Sequence, residues 1–480
     1  MPEPKLPFKH PWFKRKGYLH FDKALVLGDA EKYTTNPDNV IRHRFSPLIH
    51  YGKISRKVER DKAAEAAYKK SGKIGAKPQL RIKNKARNIF YASHVDGYIY
   101  SYYTHQIQKQ YETFLEKHQL TENVIAYRPV SKGGIKFCNS HFAREAFDFV
   151  RDSGGCHVLC FDISKFFDNL SAKLLKEKWA QVLCEVRLPD DHFKVYESLV
   201  NFSYVEEGHL IERFKARFNK NPRQHGLAKD AGGSLRNRIC DYPELRQLDE
   251  KFKAVKRRLI NQKDMLGITG IPQGMAISGL LSNIFMIDFD LAVKNKIEGD
   301  AGFYRRYSDD IFIAIPTSIG FEKIEEFIKV QLQEACGDSI KLNDNKTEKR
   351  AYRNASSGGF EVVNADDTKA KMQYLGFHFD GQNVYIRNSS ISKDRGKTVQ
   401  AIRKHKNGKI KIDTVGVYKE RSARQLTPYD NPKKKGFVYY AQRAAEAHGG
   451  ADTIKEQIKK NDRFIKRAEK REREKQTANG

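Results

Sequence analysis

The 480 residues predict an α+β fold, and three observations carry that reading. Two stretches of strand-type sequence end in carboxylates. The apolar run Cys156 to Phe161 leads into Asp162, and Gly302-Phe303-Tyr304 and Ile311-Phe312-Ile313-Ala314-Ile315 flank the hairpin-like Tyr307-Ser308-Asp309-Asp310. Helical periodicity appears elsewhere. From Phe90 to Leu115 apolar residues recur at three and four, as they do over Phe321 to Cys336 with Phe321, Ile324, Phe327, Ile328 and Leu332 on one face. Between them, the turn-rich stretch Gly267 to Ser278 opens the apolar, helix-compatible run Leu280 to Met286.

Taken in order, residues 1–80 are basic, loop-rich and interrupted by prolines, and the Ala-rich, charged stretch Val58 to Lys70 predicts a helix. The long helix from Phe90 follows, then a strand and helix over 156–175. Residues from about 186 to 265 lengthen the interval before Gly267, and Phe214 to Asn237 is rich in Arg, Lys, Asn and Gly. This reads as an insertion that could contact a template, a partner subunit or nothing. The chain ends in a charged helix from Ile454 to Lys475, which lacks a broad apolar stripe and is expected to order on a partner.

The chemistry lies in the carboxylates. At a hairpin turn, side-chain alternation sends Asp309 and Asp310 apart, and for such a pair alone a solvated turn is the ordinary alternative. A second acidic site, Phe161-Asp162-Ile163-Ser164-Lys165-Phe166-Phe167-Asp168, changes the balance. Hard divalent cations such as magnesium take oxygen ligands and sit between one or two carboxylates and substrate phosphates. Two such ions suit phosphoryl transfer, which asks for carboxylates presented from separate strand ends. Asp162, Asp309 and Asp310 meet that need. Glycines around Gln273 permit close backbone approach to a ligand, and the Gln273 amide offers both donor and acceptor. An ordinary loop before a core helix is the alternative there.

In this order, the Asp162 segment, Pro272-Gln273-Gly274 and Tyr307-Ser308-Asp309-Asp310 resemble the active-site motifs of reverse transcriptases. Asn343-Asp344-Asn345-Lys346-Thr347 and Tyr374-Leu375-Gly376-Phe377 follow where that family's later palm and primer-grip motifs do, and Arg81 to Ile89 looks like its basic fingers segment. The resemblance spans about residues 80 to 390. It implies a right-hand polymerase: a basic N-terminal extension over 1–80, fingers over 81–155, a palm over 156–387 with an insertion at about 186–265, and a mostly helical thumb and tail over 388–480.

The resemblance also implies roles. Asp162, Asp309 and Asp310 would hold magnesium, with Asp310 the less directly coordinated, and Lys346 would lie near the pyrophosphate. Phe167 would sit beneath the sugar and select deoxynucleotides, while Gln273 and Gly274 would line the nascent base pair. Lys85 and Arg87 would grip the incoming triphosphate, an ammonium neutralising it and a guanidinium binding its oxygens in two places. Lys83, Arg305, Tyr374 and Gly376 would touch nucleic acid, and Arg305 and Arg306 would either touch the primer or simply balance the acidic cluster. The segment His94 to Tyr103 and the long interval before Pro272 look like bacterial abortive-infection and defence-associated reverse transcriptases, which implies antiphage defence with a structured noncoding RNA.

Composition agrees with a nucleic-acid partner: 89 basic against 59 acidic residues leave a formal charge of +30. The excess lies toward the ends, with 22 Lys and Arg against 8 Asp and Glu over residues 1–90, and 14 against 4 over residues 393–436. No run of eighteen apolar residues and no apolar signal core appears, so the expectation is a cytoplasmic protein with no membrane partner. Six scattered cysteines read as reduced core thiols, and magnesium is the only metal expected.

The expected partners are an RNA template, deoxynucleoside triphosphates and the DNA product; monomer and homo-oligomer both stay open. Two other readings stay open as well. One is a template-independent or protein-primed terminal deoxynucleotidyl transferase, with Tyr439 and Tyr440 as conceivable hydroxyl donors. The other is a non-catalytic RNA-binding scaffold.

Overall fold

The computed structural model describes residues 10–60, 80–214, 238–246, 256–257, 269–356, 358–406 and 436–477. The chain divides into two units, each assembled from three separated stretches. The first takes Met1–Thr121, Lys165–Phe289 and Leu332–Ile340; the second takes Glu122–Ser164, Asp290–Gln331 and Lys341–Gly480.

The first unit carries a four-stranded sheet in the order Leu80–Tyr91, Leu48–Arg60, Ser203–Glu206, Lys256–Arg257. Its two long strands pair antiparallel without a break from Ile49↔Tyr91 to Arg60↔Leu80. One end of this ribbon is apolar, and Leu48, Ile49 and Phe90 are fully buried. The other end is basic and exposed from Arg81 to Arg87. Val58 to Arg60 therefore continue a strand where a helix was expected, because cross-strand pairing outweighs local helix propensity; the remainder of that expected helix lies outside the described residues.

Part of the stretch read as an insertion is built into this sheet. Ser203–Glu206 runs parallel to Leu48–His50, and helices Asp190–Val200 and Glu207–Arg213 flank it in sequence. The Arg- and Asn-rich segment Phe214 to Asn237 lies, after Phe214, outside the described residues.

The long helix of this unit is His94–Lys117, while Phe90 and Tyr91 finish the preceding strand. Ser93 caps its start by accepting the Asp96 amide at 3.2 Å. Asp22 accepts the His94 and Val95 amides at 2.9 Å each, placing a carboxylate at the positive end of the helix dipole. The expected stripe is buried through Tyr98, Ile99, Tyr103, Ile107, Tyr111 and Leu115. Burial continues round the first turns, where Asp96 accepts from His43 at 2.7 Å and from the Ser46 amide at 3.0 Å.

The second unit is organised on a five-stranded antiparallel sheet in the order Phe360–Asn364, Glu348–Asn354, Cys156–Asp162, Asp310–Pro316, Phe303–Tyr307. Helix Asn139–Asp152 packs Ala143, Ala146, Phe147 and Val150 into a core shared with Val158, Phe312, Ala314 and Tyr352. Burying each large apolar side chain of this kind contributes about 1.5–3 kcal/mol. A three-stranded meander, Met372–Tyr374, Phe377–Phe379 and Val384–Ile386, joins the same core with Ala441, Ala444 and Ile454.

The closing helix, Asp452–Thr477, does carry a narrow apolar stripe in Ile454, Ile458 and Ile465, and it packs on helix Asn388–Lys406. Among the described residues no single helix is long and apolar enough to cross a membrane; the bent pair Ala276–Phe285 and Ile287–Gly299 passes only when joined, and residues 277–287 of it are buried in the protein. The cysteines are free, but Cys184 is exposed rather than a core thiol.

Candidate active site

The second unit brings the sequence-distant carboxylates together. Strands Phe303–Tyr307 and Asp310–Pro316 pair up to Tyr307↔Asp310, so Ser308 and Asp309 form a two-residue turn. Ser308 has φ +61°, and positive φ at the first turn position alone is the type II′ pattern, which usually places glycine there. A serine held so costs about 1–2 kcal/mol. On the other side of Asp310–Pro316 lies Cys156–Asp162, with Asp162 directly opposite Asp310. The Ile163 amide donates to the Asp309 carbonyl at 3.0 Å, which extends the pairing past the strand end.

Three carboxylates so placed oppose one another. Burial first, and then the neighbouring Asp162 charge, raises Asp309 above the ordinary carboxyl range. Asp310 is raised to about 7, by desolvation of its carboxyl group first and by Asp309 and Asp162 next. Residue 310 is also open to solvent on one side, so water screens this repulsion and a cation can reach the group. Lys346, in the short 3-10 turn Asp344–Lys346, donates its ammonium to both Asp162 oxygens at 2.5 and 2.6 Å. The Asn343 amide holds the Asp162 carbonyl at 2.7 Å, and its side chain reaches the carboxylate at 3.3 Å.

This donor set fits a hard divalent cation. All three candidate ligands are carboxylates, their charges repel, and the Lys346 ammonium already occupies the position where positive charge is favoured. Among the described residues no three acidic, His or Cys side chains close around one point, so holding a cation requires the carboxylates to turn inward from their present arrangement.

The first unit holds the other motifs. Phe167 lies half-buried in the 3-10 turn Phe166–Asn169, its ring 5.6 Å from that of the buried Phe166. Gly270 passes so close that an added Cβ would lie 1.8 Å from the Phe167 carbonyl oxygen. The Ile271 amide donates to that same oxygen at 3.0 Å. Gln273 donates its side-chain amide to Asp168 at 3.1 Å, and its carbonyl accepts from the Phe90 amide at 2.8 Å. Gly274 has φ +111°, and a Cβ there would meet the Phe90 carbonyl at 2.6 Å. Lys83, Lys85 and Arg87 alternate along Leu80–Tyr91, so strand geometry puts them on one exposed face, with Lys53 opposite Arg87.

Four residues read as nucleic-acid contacts, or as balance for the acidic cluster, are engaged within the chain. Tyr374 is 4 % exposed and packs on Phe312 at 4.6 Å, so it fills the core between sheet and meander. Arg305 stacks its guanidinium on Phe303 at 4.2 Å and pairs with Glu122 at 3.7 Å; at 13 % side-chain exposure it is a packing residue. Arg306 is fully buried against Asp290 and is unavailable to a primer or to solvent. Gly376, with φ +94°, turns the chain between two strands, and its carbonyl accepts the Arg387 amide at 2.9 Å.

Other residues at the site escaped the sequence reading. Asn343 lay inside a recognised motif without an assigned role. Arg387 lends positive charge near Asp310. Asp290 stands with Asp288 in the run Ile287 to Val293, and two carboxylates in an otherwise apolar stretch are the signal that could have marked it.

Residues 244–379 match the protein family described as Reverse transcriptase (RNA-dependent DNA polymerase), a span that includes Gln273, Asp309, Asp310 and Lys346 but not Asp162. Comparison with curated proteins gives no match. Among solved structures, apo telomerase from Candida tropicalis truncated from the C-terminal domain is similar at 14 % identity and TM-score 0.36, over 64 % of this chain and 53 % of that one. Telomerase from Candida albicans in complex with a fragment of telomeric RNA is similar at 11 % identity and TM-score 0.35, over 94 % and 71 %. Apo telomerase from Candida tropicalis is similar at 12 % identity and TM-score 0.39, over 94 % and 67 %. The chain thus spans about half of the first of these. The family match and the antiparallel sheet that presents the carboxylates agree: residues 244–379 match a reverse transcriptase domain, set in a mixed fold of helices and antiparallel sheets.

Proposed function

We propose that the protein copies an RNA template into DNA from deoxynucleoside triphosphates, with magnesium held by Asp162, Asp309 and Asp310. The observation that carries this is the antiparallel register setting Asp162 opposite Asp310, with the Ser308-Asp309 turn beside them and Lys346 on Asp162. Bound there, magnesium supplies activation of the attacking 3′-hydroxyl and stabilisation of the leaving pyrophosphate oxygen. The chain's own residues do the rest. The three carboxylates set where the cations sit, and Lys346 is placed to release Asp162 and turn its ammonium toward the departing pyrophosphate. Phe167 is proposed to exclude a ribose 2′-hydroxyl, and Lys85 and Arg87 to neutralise the triphosphate.

The template is proposed to be a structured noncoding RNA, and the setting antiphage defence in the cytoplasm. That part rests on the likeness of His94 to Tyr103 to defence-associated reverse transcriptases. In this chain the segment is a buried, capped helix start, so it reports lineage rather than chemistry.

The test is incorporation of labelled deoxynucleotides by purified protein together with its copurifying nucleic acid, before and after ribonuclease digestion, followed by sequencing. The reading expects DNA complementary to one discrete RNA and loss of synthesis on digestion. Synthesis that survives digestion and follows no template would replace it with terminal transfer. Full cellular protection by a folded D309A/D310A variant would replace it with the scaffold reading.

A further inference from the structure

The buried Asp290–Arg306 pair has no part in the chemistry above, and its energetics ask for an explanation. Both side chains have no solvent exposure. A buried ion pair is poor value as a stabiliser, because desolvating two charges offsets most of their attraction and a well-packed apolar pair of similar volume does as well. The Arg306 geometry shows what an apolar pair could not supply. Its Nε and Nη2 donate to the two Asp290 oxygens at 2.7 and 2.6 Å, and Tyr304 Oη adds a third bond to Asp290 at 2.5 Å. The remaining arm, Nη1, donates to the Ser308 carbonyl at 3.0 Å.

That carbonyl belongs to the peptide joining Ser308 to Asp309, within the two-residue turn. The base of the guanidinium is fixed as well: the Arg306 amide donates to the Asn123 carbonyl at 2.7 Å, its carbonyl accepts the Ile125 amide at 3.1 Å, and Arg306 pairs with Ile311 in the neighbouring strand. A planar fork locked on one side by a carboxylate and on the other by backbone can hold a peptide plane at a set angle.

We infer that Arg306, locked by Asp290 and Tyr304, is a positioning residue that holds the Ser308-Asp309 peptide in its left-handed turn and so aims the Asp309 carboxylate at the cation. The inference rests on the polymerase reading for its activity readout, but not for its binding readout. It predicts that weakening the fork lowers turnover and cation affinity while leaving substrate affinity alone, a split that a purely stabilising core pair does not produce.

Three variants test it. Arg306→Lys keeps the charge but cannot span Asp290 and Ser308 together. D290L/R306M removes both charges and leaves none unpaired. Tyr304→Phe keeps the ion pair intact and releases one oxygen, so it is the arm most secure in folding. Each is checked by circular dichroism and melting, then by primer extension on RNA and by Mn2+ binding followed by electron paramagnetic resonance without nucleotide. For folded R306K and D290L/R306M the expected result is a fall in kcat and a loss of Mn2+ affinity of about tenfold or more each, with KM for deoxynucleotides unchanged within about twofold. For Y304F the same signs are expected at about threefold.

Folded variants with wild-type kcat and Mn2+ affinity would overturn the inference and leave the pair as core packing. If D290L/R306M and R306K do not fold, an unshifted Y304F overturns it. If wild-type protein binds Mn2+ but makes no DNA, the polymerase reading fails while the Mn2+ comparison still decides the positioning role.

Discussion

Asp309 and Asp310 illustrate how one residue can be costly to the fold and necessary to the chemistry. Both are raised by burial first, Asp309 then by Asp162 and Asp310 by Asp309 and Asp162, so the folded chain is relieved when either is neutralised. Asp309→Ala is therefore expected to abolish DNA synthesis, by about a thousandfold or more, while leaving the melting temperature unchanged or higher. A variant that melts well below wild type would contradict this account of the site. The same shifts give a pH dependence. Between the ordinary carboxyl range near 4 and the value of about 7 for Asp310, the folded protein holds a proton that the unfolded chain has released. Without added cation, the contribution of this group to stability thus falls as pH rises through that window. Cation binding needs the ionised form and strengthens over the same range. The rise in melting temperature on adding magnesium should be small at pH 5.5, grow toward pH 8, and lose its pH dependence in Asp310→Asn. A gain that is flat with pH in the wild type would refute it.

At the level of elements, Gly270 and Gly274 are there for contact as much as for turning. Gly270 lies against the backbone of Phe167 and Asp168, where no flexible side chain can give way. Gly270→Ala is expected to destabilise the first unit by about 3 kcal/mol or more, read as a loss in denaturant midpoint; a neutral result would mean the 3-10 turn at Phe166–Asn169 can move aside. Elements with strong local signals were legible in the sequence. The hairpin bearing Asp309 and Asp310, the strand before Asp162, the helix Phe321–Cys336 and the stripe of the long helix all print their period in consecutive residues. What escaped was set by distant partners. Val58 joins a strand because Ile82 lies opposite it, and Ser203–Glu206 is a strand because Leu48–His50 runs beside it. Tyr374 resembled a nucleic-acid contact by motif, yet Phe312 claims its ring. The carboxylates could be read because their chemistry fixes their residue type. Arg306 could not, since a buried and an exposed arginine look alike until Asp290 is seen against it.

Over the whole molecule, a charge of +30 predicts strongly salt-dependent nucleic-acid affinity. Affinity for duplex should fall linearly with salt on logarithmic axes, with a slope of about −0.9 for each phosphate neutralised. Replacing Lys83, Lys85 or Arg87 by Gln should each flatten that slope by up to about 1, uniformly across sequences. A slope untouched by all three would remove the ribbon from the nucleic-acid path.

Each unit draws on three stretches of chain, and the division falls between Asp162 and Asp309: residues 165–289 belong to the first unit, whereas both carboxylates belong to the second. Their alignment begins with the hydrogen-bond ladder joining Cys156–Asp162 to Asp310–Pro316. One residue added inside either strand would invert every side chain beyond it and carry an aspartate to the opposite face. Added length in the excursion between them would leave the ladder untouched. A lineage built this way can lengthen that excursion away from Phe167, Gln273 and Gly274 and explore new binding surfaces, while seven residues on each of two strands stay frozen in count.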